Sequence, residues 1–250
     1  VAADRRVSGG GAVMTTVLPD PEAVARAAAD WLLESVRAAG DRPSAVCLAG
    51  GSTPQRLYEL LPAPPYRDAF PWQRVHWFWG DERFVPPEDE RSNYRMVRRA
   101  LLDRAAVPAA NIHPIPTTGA PRQAAAAYER ELRRFYAADT LDPARPLFDA
   151  TLLGLGEDGH TASLFPWTAA LEERARWVVA VEGVKPEPRI TLTYPALESS
   201  GAAALLVTGA GKRDIVRRVR AGADLPAARL RPVGRLRWFL DRAAAPDNVR

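Results

Sequence analysis

Short apolar runs recur along this chain, separated by segments in which apolar residues return every three or four positions. Ala12 to Leu18, Ser44 to Ala49, Val75 to Trp79 and Phe148 to Leu153 are runs of the first kind. Further strand candidates lie at Trp177 to Val181, Arg189 to Thr193, Ala202 to Val207 and Arg237 to Leu240. Brief, nearly continuous apolarity predicts strands buried on both faces. Between the strands, Val24, Ala28, Trp31, Leu32 and Val36 mark one face of a helix that Asp20-Pro21-Glu22 opens and Gly40 ends. Thr53 as N-cap and Pro54 as first helical residue open another, with Leu57, Leu60 and Leu61 inward. Ser92-Asn93-Tyr94 opens a helix with Tyr94, Val97 and Leu101 on its apolar face. Pro121 to about Ala138 buries Tyr128, Leu132 and Phe135, and a later helix carries Ile215, Val216 and Val219. A helical turn is expected after Leu240. Strands alternating with helices predict an α/β fold, a mainly parallel sheet covered by helices on both faces. Residues 1–11 read as a disordered tail and 12–250 as a single domain, with no internal repeat and no linker.

Composition narrows the class. The chain has 250 residues, 47% hydrophobic and 26% charged, which suits a soluble globular protein with a substantial core. No apolar run reaches membrane-spanning length and no leader resembles a signal peptide, so a cytoplasmic protein without a membrane partner is expected. A monomer is expected. The one cysteine, Cys47, excludes an internal disulfide and sits in an apolar run, where a buried, inert thiol is the reading. The formal charge is +4, carried mostly by arginine. The pairs Arg98-Arg99, Arg133-Arg134 and Arg217-Arg218 fall on predicted helices beside acids or alanines. Solvated helix faces explain them better than a nucleic-acid footprint, which would bring interleaved aromatics or a recognition helix.

The chemistry gathers at strand ends. The first such loop, Gly50-Gly51-Ser52-Thr53, joins a buried strand to a helix N-terminus, where backbone N–H groups and the helix dipole favour an anion. The alternative is an ordinary tight turn. Gly80-Asp81-Glu82-Arg83 ends the aromatic strand, and Arg83 offers a planar fork to a phosphate or an oxyanion. A solvated turn is the alternative there. Lys212 closes Gly209-Ala210-Gly211 at another strand end, whereas Lys185 reads as surface charge. The central loop runs Gly154-Leu155-Gly156-Glu157-Asp158-Gly159-His160. It satisfies G-x-G-x-x-G, but Asp158 stands where phosphates would sit and Pro166 arrives too soon for the helix that fingerprint requires. A glycine turn with a merely hydrogen-bonded histidine is a second reading. The third is a general base, His160, held by Asp158. Of the three histidines, His76 lies inside a strand and His113 sits between prolines, both structural. If the strands are parallel, the four loops share one sheet edge. An anion-binding turn, an arginine, a lysine, an aspartate and a histidine suit a small phosphorylated substrate and a water-activating base. No spacing suggests a metal site.

Taken in order, these residues carry a resemblance. Leu48-Ala49-Gly50-Gly51-Ser52-Thr53-Pro54, Gly80 to Pro86, Ser92-Asn93-Tyr94 and Gly154 to Pro166 closely resemble the 6-phosphogluconolactonase family, and Arg189 to Thr193 and Trp238 to Asp241 fit it too. The resemblance implies hydrolysis of 6-phospho-D-glucono-1,5-lactone to 6-phosphogluconate in the oxidative pentose phosphate pathway. It also implies a modified Rossmann-like fold shared with sugar-phosphate isomerases and deaminases, and no metal or organic cofactor. His160, Asp158 and Arg83 are then the catalytic candidates; Gly50, Gly51, Ser52, Thr53, Asp81, Asn93 and Lys212 are the substrate-binding ones. Glu198 departs from the asparagine frequent in the family. Two rivals are a glucosamine-6-phosphate deaminase-like enzyme, against which Thr161 to Pro166 and Arg83 speak, and a non-enzymic sugar-phosphate sensor.

Overall fold

The architecture is that of a computed structural model, which describes residues 13–247. The expected tail, residues 1–11, lies outside the described residues. In chain order the elements are β1 (Met14–Leu18), α1 (Pro21–Ala38), β2 (Ser44–Leu48), α2 (Ser52–Leu60), α3 (Tyr66–Ala69), β3 (Val75–Trp79) and β4 (Asp81–Arg83). There follow α4 (Asn93–Ala100), β5 (Ile112–His113), α5 (Pro121–Tyr136), β6 (Ala150–Leu153), β7 (Val178–Val181) and β8 (Arg189–Leu192). The chain continues through α6 (Tyr194–Glu198), β9 (Ala202–Val207), α7 (Arg213–Arg220), α8 (Pro226–Arg229) and β10 (Arg235–Asp241).

Seven strands form a parallel sheet in the order β1-β10-β9-β6-β2-β3-β5. Its central strands, β2 and β6, are buried at every residue, as their unbroken apolarity predicts. Helix α1 starts as its sequence dictates. The Asp20 carboxylate accepts the Ala23 N–H at 2.8 Å, and Pro21 occupies the first turn. Its apolar face, Val24, Ala28, Trp31, Leu32 and Val36, is buried, and burial of each valine and leucine there is worth about 1.5–3 kcal/mol. After β2 the chain moves outward through β3 to β5. It then returns to the other side of β2 with β6 and moves away through β9 and β10. The carboxyl ends of β2 and β6 therefore flank a topological switch point, where their onward connections part and leave a crevice.

Four expectations need correction. The strands at Trp177 to Val181 and Arg189 to Thr193 do not join the parallel sheet. They form a hairpin, β7–β8, which pairs antiparallel with β4 in a separate three-stranded sheet. Apolar periodicity reports burial, not which sheet a strand enters. Gly80 joins the two sheets: its N–H donates to Leu48 O at 2.9 Å, and its carbonyl accepts Leu192 N–H at 2.8 Å. The predicted Asp81-Glu82-Arg83 loop is thus strand β4. Helix α2 begins at Ser52, with Gly51 as its cap at φ 102°, and Thr53 makes no capping bond. Fourth, the last strand is longer than expected, and the turn after it, closed by the Ala245 N–H to Asp241 O bond at 3.0 Å, is the one helical turn expected. There Asp241 accepts Ala244 N–H at 2.8 Å and Gly209 N–H at 3.0 Å, fixing the loop that carries Lys212.

His76 and His113 are structural, as expected. Their rings are 3.0 Å apart at Nδ1 and Nε2, His113 Nδ1 meets Glu131 at 2.8 Å, and Phe78 stacks on His113. Cys47 is buried, and that burial, with the Asp81 charge nearby, holds its thiol far above the ordinary range. Glu198 accepts Arg231 N–H at 2.7 Å, a contact to the loop before β10. No helix among the described residues is long and apolar enough to cross a membrane.

Candidate active site

A cleft of about 620 Å³ opens over the carboxyl ends of β2, β3, β6 and β9. All ten sequence candidates line it: Gly50, Gly51, Ser52, Thr53, Asp81, Arg83, Asn93, Asp158, His160 and Lys212. They converge because parallel strands deliver their outgoing loops to one edge.

The wall after β6 holds the histidine. Gly159, at φ 86°, lets the loop close: Gly159 N–H donates to Gly156 O at 3.0 Å and Gly156 N–H to His160 O at 2.8 Å. The His160 ring lies against the Gly156 backbone so closely that a Cβ there would fall 2.0 Å from Nδ1. Phe165 packs on the ring at 4.6 Å between centroids. One oxygen of Asp158 meets both Nδ1, at 2.5 Å, and the His160 backbone N–H, at 3.1 Å. Nδ1 therefore carries the proton toward Asp158, and Nε2 is left as the basic nitrogen. Partial burial opposes the Asp158 charge, but the hydrogen bonds and charge of His160, with Lys185 beyond, prevail and hold the carboxyl below its ordinary value. No helix follows the three glycines; the chain makes a Thr161–Leu164 bridge instead, so the dinucleotide fingerprint is a coincidence of spacing.

The N-terminus of α2 lines the same cleft. The α2 N-terminus points its first N–H groups outward from Gly51 and Ser52. The Thr53 and Thr208 hydroxyls meet at 2.8 Å, bridging the β2 and β9 loops. Lys212 Nζ donates to Leu155 O at 2.8 Å and lines the same space.

Asp81, Arg83 and Asn93 line the cleft as well. The Asn93 amide donates to Asp81 O at 3.0 Å and lies so close to Gly50 that a Cβ would fall 2.1 Å from its Oδ1. The Ser163 hydroxyl donates to the Asp81 carboxylate at 2.7 Å. Glu82, read with them as part of a charged site, turns the other way and is 1% exposed. It accepts the N–H groups of Arg83, Asn93 and Tyr94 and the Ser92 hydroxyl, capping α4. Burial pushes its carboxyl above the ordinary value despite those backbone donors.

Lys185 was read as surface charge, yet the β7–β8 hairpin brings it to the cleft, 5.3 Å over the Phe165 ring. Nothing local marks it, because its position depends on the second sheet. Thr208 was also missed, although a hydroxyl at the end of β9 is a readable signal. Among the described residues no group of three or more His, Cys, Asp or Glu side chains is disposed to hold a metal.

Comparison with known proteins finds relatives along most of the chain. The family described as glucosamine-6-phosphate isomerases/6-phosphogluconolactonase matches residues 19–238. The 6-phosphogluconolactonase of a Nostoc species is 40% identical over 238 residues, covering 92% of this chain and 96% of the relative. That of Mycobacterium tuberculosis is 41% identical over 243 residues, with the same coverage of 92% and 96%. The solved 6-phosphogluconolactonase of Trypanosoma cruzi superposes with a TM-score of 0.81 at 27% identity, covering 94% of this chain and 97% of that one. A monomeric glucosamine-6-phosphate deaminase shares the fold at TM-score 0.78 and 18% identity, covering 95% and 100%.

Proposed function

This chain belongs to the glucosamine-6-phosphate isomerase/6-phosphogluconolactonase family, and we propose that it hydrolyses 6-phospho-D-glucono-1,5-lactone to 6-phosphogluconate, the lactonase step of the oxidative pentose phosphate pathway. The observation that carries the reading is the His160–Asp158 couple seated on Gly156, in a cleft also lined by the α2 N-terminus, the Thr53–Thr208 pair and Lys212.

The substrate has a phosphate at one end and a strained ester at the other. Its phosphate docks at the α2 N-terminus beside Thr53, Thr208 and Lys212. The lactone carbonyl then lies toward His160 and Arg83. His160 Nε2 takes a proton from water as the oxygen attacks C1, and Asp158 stabilises the imidazolium that forms. Such general-base help is worth about 10²–10⁴-fold. Arg83 stabilises the negative charge that develops on the carbonyl oxygen. When the tetrahedral intermediate collapses, the C1–O5 bond breaks and His160 returns its proton to O5. The ester is electrophilic enough for a base and a fixed cation to suffice. Lys185, close to Phe165, favours the carboxylate form of Asp158. All of these groups come from one chain, so a monomer suffices; sedimentation of the purified protein checks that state.

The test is acid release from freshly prepared 6-phosphogluconolactone, corrected for spontaneous hydrolysis, alongside ammonia release from glucosamine 6-phosphate. Protein-dependent acid with no ammonia supports the reading. Ammonia release without lactone hydrolysis refutes it.

A further inference from the structure

Arg83 and Arg189 stand directly opposite each other where β4 pairs antiparallel with β8. Residues so opposed project to the same face, with Cβ atoms about 4.5–5.5 Å apart. Two permanently charged guanidiniums therefore share one side of the small sheet. Arg83 reaches the cleft, whereas the Arg189 side chain beside it is only 12% exposed. The carboxylate paired with Arg189, that of Glu187, stands at 3.7 Å and is also bound by Arg91. Arg189 Nη1 is buried and has no protein acceptor. Burial above all, and then Arg83, works against its charge; Asp81, Glu187 and Glu82 favour it. Like charges directly opposed across two strands destabilise the pairing. Folding alone does not favour this arrangement.

We propose that Arg189 is a positioning residue for the hydrolysis: its buried charge holds the Arg83 guanidinium out over the lactone carbonyl and away from the carboxylates of Asp81 and Glu187. The proposal rests on the reading of Arg83 as the oxyanion's partner. With Arg189 neutral, Arg83, whose guanidinium donates to Arg91 O, gives up that bond and retracts onto those carboxylates, and the transition state loses its counter-charge. Ground-state binding, carried mainly by the phosphate wall, changes little.

A double-mutant cycle on the purified full chain tests this. Arg189→Gln is expected to lower kcat about tenfold with KM within about twofold of the parent. In an Arg83→Gln background the same change is expected to alter kcat by less than about twofold, because the group it acts through is gone. Arg189→Lys, which keeps a charge without the fork, is expected to recover kcat to within about threefold of the parent. An equal loss in both backgrounds, a loss confined to KM, or no recovery by lysine overturns the proposal while leaving the role of Arg83 standing. An unchanged kcat for Arg83→Gln overturns the oxyanion reading and the positioning role with it. Should Arg189→Gln fail to fold, Arg189→Met, which buries no orphaned amide, carries the same comparison.

Discussion

Gly156→Ala is the substitution whose consequence the geometry defines most closely. A Cβ at this position would lie 2.0 Å from His160 Nδ1 and 2.2 Å from Cε1. Reaching ordinary contact requires the ring to retreat by roughly 1.4 Å or more. It cannot do so without stretching the 2.5 Å bond to Asp158 out of hydrogen-bonding range, and Phe165 blocks part of the space. The Gly156 backbone is not in the left-handed region, so alanine itself is accepted and the fold should survive. A displacement of this size at the reacting base is expected to lower kcat about 10²-fold, equivalent to about 2.7 kcal/mol of barrier. Gly154→Ala is the internal control: its Cβ would meet nothing within 4 Å. Initial rates of acid release, with melting temperatures for both variants, check the pair. The reasoning fails if Gly156→Ala stays within about threefold of the parent, or if Gly154→Ala loses as much.

Three further expectations follow from the same geometry. Lys212→Met should raise KM for the phosphorylated lactone about tenfold while leaving hydrolysis of unphosphorylated gluconolactone nearly unchanged; parallel kinetics on the two substrates decide it. Glu82→Gln should cost about 1–3 kcal/mol of stability, since its amide cannot accept all the donors that now converge on the carboxylate; urea denaturation measures it. Asp158 has its carboxyl held below the ordinary value, so the stability it contributes is fully present above the unfolded carboxylate pKa and is lost as pH falls through the lower folded one. The difference in unfolding midpoint between the parent and Asp158→Asn should therefore hold steady at neutral pH and close only below about pH 4.

Much of the site can be read along the chain because a parallel sheet turns sequence-local features into a spatial cluster. Each of β2, β3, β6 and β9 ends in a glycine or charged loop, and parallel pairing brings Thr53, His160 and Lys212 together, while Arg83 follows β3 through Gly80 onto β4. What stays hidden depends on pairings far apart in sequence. Lys185 reaches the cleft only because β7 and β8 fold back as a hairpin onto β4, and Arg189 meets Arg83 for the same reason. The capping of α4 by Glu82 is equally invisible, since nothing in Asp81-Glu82-Arg83 says that its middle residue faces inward. The three glycines of the central loop make the same point. Gly156 seats the histidine, Gly159 supplies a left-handed turn and Gly154 meets no neighbour, three separate states inside one apparent motif.

The central claim is that His160 deprotonates the attacking water. The measurement that tests it most directly is the turnover of His160→Ala on fresh 6-phosphogluconolactone, with spontaneous hydrolysis subtracted and folding verified by circular dichroism. A loss of at least about 10²-fold in kcat with KM little changed is the predicted result. A folded His160→Ala enzyme that retains near-parental kcat would contradict it.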